Sequence, residues 1–120
     1  MTNPNIVNVT SILGKTDTFA LTTTLTTTLL TAGADKILKI NSIMIANVDG
    51  TNSANVTIAY NDQTNTRAIG STISVPADAT LTLIDKNNSF YLEEGDSIEG
   101  GASADNDLVC MISYEIIDDA

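Results

Sequence analysis

The sequence has no histidine and no tryptophan, and only one cysteine, two prolines and five aromatic residues. Without histidine there is no imidazole base for a serine or cysteine nucleophile and no histidine ligand for zinc, which excludes a hydrolase triad. The single cysteine, Cys110, cannot form an internal disulfide. Because it lies in the apolar run 108–112, we expect a small buried hydrophobic side chain and not a reactive thiol.

Basic residues are also scarce: five Lys and Arg stand against fifteen Asp and Glu, a formal net charge of -10. Such a charge repels phosphate backbones and anionic lipid headgroups, so we expect neither nucleic acid nor a membrane as a partner. Acidity also confers solubility in any setting. Residues 1–5 do not resemble the start of a secretory signal, and no run of about 18 apolar residues could span a bilayer.

Threonine and asparagine are abundant, with 18 and 12 copies. Threonine is stiff at its β-carbon and suits strands, whereas asparagine suits turns. Short apolar segments separated by turn residues predict an all-β fold, a single-domain antiparallel β-sandwich of about seven to nine strands. We expect residues 1–10 to form an N-terminal arm able to dock on a neighbour, and residues 11–120 to form the sandwich domain.

Alternating side chains predict where the strands lie. From Phe19 to Leu29, one side of an extended chain would carry Phe, three Leu and two Thr, and the other side would carry Ala and four Thr. This alternation favours one long strand or two. Segment 37–48 is apolar on both parities and predicts a central strand covered on both sides, or one with a bulge near 41–42. The Asp-Gly at 49–50 predicts a hairpin leading to a partner strand at 56–60.

The second half of the chain predicts five strands joined by turns. Segment 100–107, which contains two adjacent glycines, is expected to be a flexible loop. The expected strands of this half are 68–75, 80–84, 90–92, 97–99 and 108–116.

Carboxylates cluster in sequence at Glu93, Glu94, Asp96 and Glu99. A carboxylate pair could hydrolyse a glycosidic bond. However, adjacent residues of a strand point to opposite faces, and the segment resembles a turn entering an edge strand. We therefore expect a solvated acidic turn here, with no catalytic residues.

Two loops offer oxygen ligands for calcium, 47–52 and 105–107. Neither fits a complete EF-hand loop, so ordinary turn chemistry is the expected role of both. The adjacent glycines at 100–101 are not embedded in a phosphate-binding motif. The sequence thus predicts no metal site, no cofactor-binding residues and no cofactor.

Several segments resemble small virion structural proteins of tailed bacteriophages, notably those that infect marine cyanobacteria. The similarity covers about residues 11–117. It is carried by TLLTA at 28–32, KINSIMIANVD at 39–49, ISVPADATL at 73–81, YLEEGDSI at 91–98 and ISYE at 112–115. The resemblance implies a jelly-roll-like sandwich built into the particle, and it carries over no catalytic residue.

From this resemblance we expect a capsid decoration, or cement, protein, made in the host cytoplasm and located on the outer capsid surface. The expected partners are the major capsid protein and further copies of the chain, as a homotrimer. The net negative charge fits a position away from packaged DNA. The alternative is a neck, tail or fibre module that binds a receptor or adaptor through loops 49–55 and 100–107.

Overall fold

The computed structural model describes residues 11–118, which form nine strands and one short 3-10 turn. None of these residues belongs to a helix long and apolar enough to cross a membrane. The arm expected at residues 1–10 lies outside the described residues. The strands are β1 (Ser11–Ala20), β2 (Thr28–Thr31), β3 (Lys36–Asn47), β4 (Ala54–Asn61), β5 (Thr66–Val75), β6 (Thr80–Ile84), β7 (Phe90–Leu92), β8 (Ser97–Ala102) and β9 (Leu108–Asp118), with the 3-10 turn at Lys86–Asn88.

The strands form two antiparallel sheets that pack face to face. The first sheet has the order β1-β9-β3-β6, with β7 also paired to β3, and the second has the order β2-β8-β4-β5. This order, in which the chain passes repeatedly between the sheets, is that of a jelly roll. The all-β sandwich, the number of strands and the jelly-roll form are therefore confirmed.

Aliphatic side chains from the inner faces of both sheets fill the core. In β9, Leu108, Cys110 and Ile112 alternate with more exposed residues and are fully buried, as the alternation predicted. Fully burying an aliphatic side chain of this size stabilises the fold by about 1.5–3 kcal/mol. The core thus rests on β-branched and leucine side chains, with Cys110 packed among them.

The central strand β3 contains the bulge that the sequence offered as one of two alternatives. Its register with β9 shifts between Ile40 and Ser42. Because of the extra residue, Ile43 and Ile45 return to the inner face that Leu38 and Ile40 occupy, and all four are buried. The bulge therefore explains why apolar residues occur on both parities.

One long strand from Phe19 to Leu29 is wrong, and of the two-strand alternative the segment contains only the end of β1 and the start of β2. Strand β1 ends at Ala20, and residues 21–27 cross from the first sheet to the second before β2 begins. Leu21 is buried, and its amide donates to the carbonyl of Leu108 at 2.9 Å. Alternation of leucine and threonine continues through this crossing, so the pattern alone did not reveal where the strand stops.

The hairpin predicted at 49–50 is also wrong, because β3 and β4 belong to different sheets. The segment is an inter-sheet connection in which the Asp49 carboxylate accepts the amides of Thr51 and Asn52. The side-chain amide of Asn47 donates to the carbonyls of Asn52 and Val75, which fixes the connection to β5. Local turn chemistry was recognised correctly, but not the sheet that the chain enters next.

The flexible loop expected at 100–107 is wrong in its first part, since β8 continues to Ala102. Gly100 and Gly101 are buried in this strand. A β-carbon on Gly101 would lie 2.7 Å from the Thr24 carbonyl oxygen and 2.8 Å from that of Thr22. The glycine is therefore required because the 21–27 crossing packs directly on the β8 backbone.

Candidate functional site

Three loops meet at one end of the sandwich: 48–53, 76–79 and 103–107. The amide of Val48 donates to the Asp107 carbonyl at 2.8 Å, and the amide of Asp78 donates to the Asp49 carbonyl at 3.2 Å. The structure thus brings together the two loops that the sequence singled out for calcium and for receptor binding. We call these three loops the acidic end.

The acidic end carries Asp49, Asp78, Asp105 and Asp107, and its three loops contain no Lys or Arg. The backbone amides of Thr51 and Asn52 lower the pKa of Asp49 below its ordinary value. Asp105 accepts the amide of Thr23 at 2.8 Å. The carboxylates of Asp49 and Asp105 therefore hold the loops in shape, and all four aspartates add negative charge at one end of the molecule.

Within residues 11–118, no three His, Cys, Asp or Glu side chains are grouped so that they could hold a metal ion. The structure thus assembles the two candidate calcium loops side by side without forming a set of ligands. One carboxylate oxygen of Asp49 is already occupied by the amides of its own loop.

The opposite end contains a group of buried carboxylates, Glu94, Asp96 and Glu99, which we call the buried acidic cluster. The prediction of a solvated acidic turn is wrong for these three residues, since each is less than 9% exposed. Only Glu93 of the predicted turn is exposed. Burial of carboxylates is costly unless hydrogen bonds replace the lost water.

Neutral side chains of β4 and the turn after it supply these hydrogen bonds. The Tyr60 hydroxyl donates to Oδ2 of Asp96 at 2.5 Å, and Nε2 of Gln63 donates to Oδ1 at 3.0 Å. Nδ2 of Asn61 donates to Oε2 of Glu99 at 2.8 Å. Burial, and the bond to Asp96, raise the pKa of Tyr60 well above its ordinary value. The phenol therefore stays protonated and acts as a donor.

The buried acidic cluster joins three turns at this end. The amide of Gly95 donates to the carbonyl of Ala32 at 2.9 Å, and the amide of Asp35 donates to the carboxylate of Glu94. Gln63 also reaches the Glu94 carbonyl. The arrangement fixes the loops between β2 and β3, between β4 and β5, and between β7 and β8, so we assign it a structural role.

A shallow, open depression of about 250 Å³ lies beside the 21–27 crossing. Its volume is below the usual range for small-molecule pockets, about 300–1,000 Å³. Five of its seven lining residues carry a hydroxyl or amide group, but the lining exposes more apolar than polar surface. The depression could not be predicted from the sequence because these residues are distant along the chain. The lining residues are Thr23, Leu25, Asn55, Thr57, Thr72, Ala102 and Ser103.

Strand β1 forms an edge of the first sheet. Among the described residues only β9 pairs with it, from Ser11 through Ala20. Ile12 and Leu13 are 58% and 59% exposed, large values for aliphatic side chains. A long edge strand with exposed apolar residues is a template for pairing with another strand.

The sequence matches no protein-family model and no curated protein. Its structure is similar to the crystal structure of the Drosophila NLP core, described as giving insight into pentamer formation and histone binding. The two chains are 13% identical, the match covers 87% of this chain and 96% of the other, and the TM-score is 0.46. A likeness this distant carries no information about what this chain binds.

Proposed function

We propose that this chain is a non-catalytic structural protein of a bacteriophage particle, a decoration protein that binds the outer surface of the assembled capsid. The observation that carries the proposal is the distribution of charge. The net charge is -10, and four of the carboxylates lie on the loops of the acidic end, which hold no Lys or Arg. Packaged DNA repels such a surface, which favours an outward position.

The resemblance to phage virion proteins supports the same proposal. Its five segments fall on strands β2, β3, β7 and β9, on the ends of β5, β6 and β8, and on the turns next to them. They therefore belong to the framework of the sandwich more than to any one binding surface. The choice among virion proteins rests on charge and on the exposed edges of the sheets.

The proposed mechanism is linkage: a protein that binds only the assembled shell stabilises it by the free energy of that binding. Copies placed where capsid subunits meet would bridge them and resist internal pressure. The major capsid protein is the partner, and a trimer at the junctions between capsomers is the arrangement expected from the resemblance. Residues 1–10 would extend the contact as an arm.

Quantitative mass spectrometry of purified particles tests this proposal. We expect a copy number comparable to that of the major capsid protein, and we expect the chain to be lost from particles whose outer surface is treated with protease. Absence from purified particles would contradict the proposal outright.

The second candidate is a neck, tail or fibre module, and one observation favours it. The loops that sequence analysis selected for receptor binding do meet at the acidic end, on a rigid sandwich. A few copies per particle would favour this candidate over decoration. Hydrolysis of a polysaccharide, abolished by Glu94→Gln or Asp96→Asn in a folded variant, would instead indicate an enzyme.

A further inference from the structure

We infer that the β1 edge is a self-association site at which two copies of this chain pair antiparallel, joining their first sheets into one continuous sheet. The inference goes beyond the proposed function and does not depend on it. It rests on three features of β1: its unpaired edge within the described residues, its exposed aliphatic side chains, and a charge pattern that is complementary to itself.

The backbone provides the first condition. Strand β1 is ten residues long and pairs along its whole length with β9, so its backbone is held extended and its opposite edge is regular. No other strand of residues 11–118 pairs with that edge. Unpaired N–H and C=O groups on such an edge form hydrogen bonds with any strand of matching geometry.

The charges select one register. Lys15 and Asp17 are separated by one residue, their charged groups lie 3.9 Å apart within one copy, and their side chains are 52% and 31% exposed. When two β1 strands run antiparallel with Thr16 opposite Thr16, each Lys15 lies opposite Asp17 of the second copy. Directly opposed charges of opposite sign stabilise a strand pair, and here the contact occurs twice.

The same register also matches the apolar residues. It places Leu13 opposite Phe19 and Ile12 opposite Ala20, each pair again occurring twice. Leu13 is 59% exposed and Phe19 is half-buried against the core. Leu13, Lys15, Asp17 and Phe19 share one face of the strand, and a shift of one residue would put Leu13 opposite Thr18 and destroy both matches.

A cysteine cross-link tests this register directly. In the inferred pair the two Thr16 residues are directly opposite, and opposed residues of antiparallel strands have Cα atoms about 4.5–5.5 Å apart, within the range for a disulfide. We expect Thr16→Cys to form a covalent dimer under mild oxidation. Thr18→Cys is the matched control, since Thr18 is also exposed on the same face but lies opposite Gly14 in the second copy. The residues at position 18 of the two copies would be about 13 Å apart along the strands, because four residues at about 3.3 Å each separate Gly14 from Thr18.

A charge exchange provides the second test, read by the mass of the full chain in solution. The wild type should have twice the 12.6 kDa of one copy, a two-fold dimer in solution in place of the homotrimer expected from the resemblance. Lys15→Glu alone and Asp17→Lys alone should each lower self-association at least tenfold. Mixing the two variants should restore a dimer that contains one copy of each, because both opposed pairs are then attractive.

Three results would overturn the inference. They are a wild type that stays monomeric at high concentration, a trimer with no Thr16→Cys cross-link, or equal cross-linking of Thr16→Cys and Thr18→Cys. Asp17 also accepts the Tyr114 hydroxyl at 2.6 Å, so circular dichroism should verify that Asp17→Lys is folded. If it is not, the cross-link pair decides alone. Failure here leaves the copy-number test of the decoration proposal unaffected.

Discussion

The hydroxyl of Tyr60 donates a 2.5 Å hydrogen bond to Asp96, and the ring of the same tyrosine packs on Phe90 with centroids 6.1 Å apart. One side chain of the second sheet therefore satisfies a buried carboxylate and contacts the first sheet as well. Removing only the hydroxyl separates the two contributions.

We expect Tyr60→Phe to lower the free energy of unfolding by about 1–3 kcal/mol, because a buried carboxylate loses a hydrogen bond while the ring contact is kept. Urea denaturation followed by circular dichroism measures the change. Tyr91→Phe is the control, since Tyr91 is exposed and should change stability by less than about 0.5 kcal/mol. Equal effects of the two changes would contradict a role for the Asp96 bond.

Gly101→Ala should destabilise the fold by about 1–3 kcal/mol, because its β-carbon would contact the backbone of the 21–27 crossing and force it away from β8. Hydrogen exchange should be faster at the Ala102 amide, which donates to the Thr22 carbonyl. Gly33→Ala is the matched control, since its β-carbon would meet only Lys36, at 3.7 Å. Unchanged exchange at Ala102 would show that the crossing does not depend on this glycine.

Asp49 and Asp62 should titrate below 3.8, their ordinary value, because each carboxylate accepts two backbone amides of its own loop. A carboxyl with a lowered pKa in the fold contributes stability that is complete above its unfolded pKa. That contribution is lost as the pH falls through the lower folded value. Carboxyl carbon shifts measured by NMR from pH 6 to pH 2 test the expectation, and midpoints at or above 3.8 would contradict it.

Cys110 should resist thiol reagents in the folded protein. Burial raises the pKa of its thiol from 9.0 to about 12, so at pH 8 the thiolate is about a thousandfold rarer than in the unfolded chain. Labelling with iodoacetamide in buffer and in 8 M urea compares the two states. Comparable rates in both solutions would mean that β9 opens readily.

The sequence predicted those parts of the fold that depend on local pattern. Alternation in 108–116 predicted the buried side chains of β9, and the bulge of β3 was one of two alternatives that apolar residues on both parities allowed. Alternation failed at Phe19 to Leu29, because threonine and leucine suit a crossing that hydrogen-bonds to β8 as well as they suit a strand. Local turn residues at 49–50 likewise contain no information about which sheet comes next.

The buried acidic cluster could not be predicted from its own segment. Glu94, Asp96 and Glu99 look solvated in sequence, because the residues that satisfy them, such as Tyr60 and Gln63, lie more than 30 positions earlier. The self-complementary pattern around Thr16 was visible in sequence, but it gains meaning only when β1 is known to be an edge. Both features depend on tertiary placement.

The pairing of β1 with β9 has a consequence for synthesis on the ribosome. Thr16 and Ser113 are neighbours in the sheet although 97 residues separate them, and β3 also needs β9 along nearly its whole length. Neither β1 nor β3 can complete its ladder until residue 118 has left the exit tunnel. The first sheet must therefore close after translation of this segment, and nascent chains halted before β9 would expose β1 and β3 to chaperones and to one another.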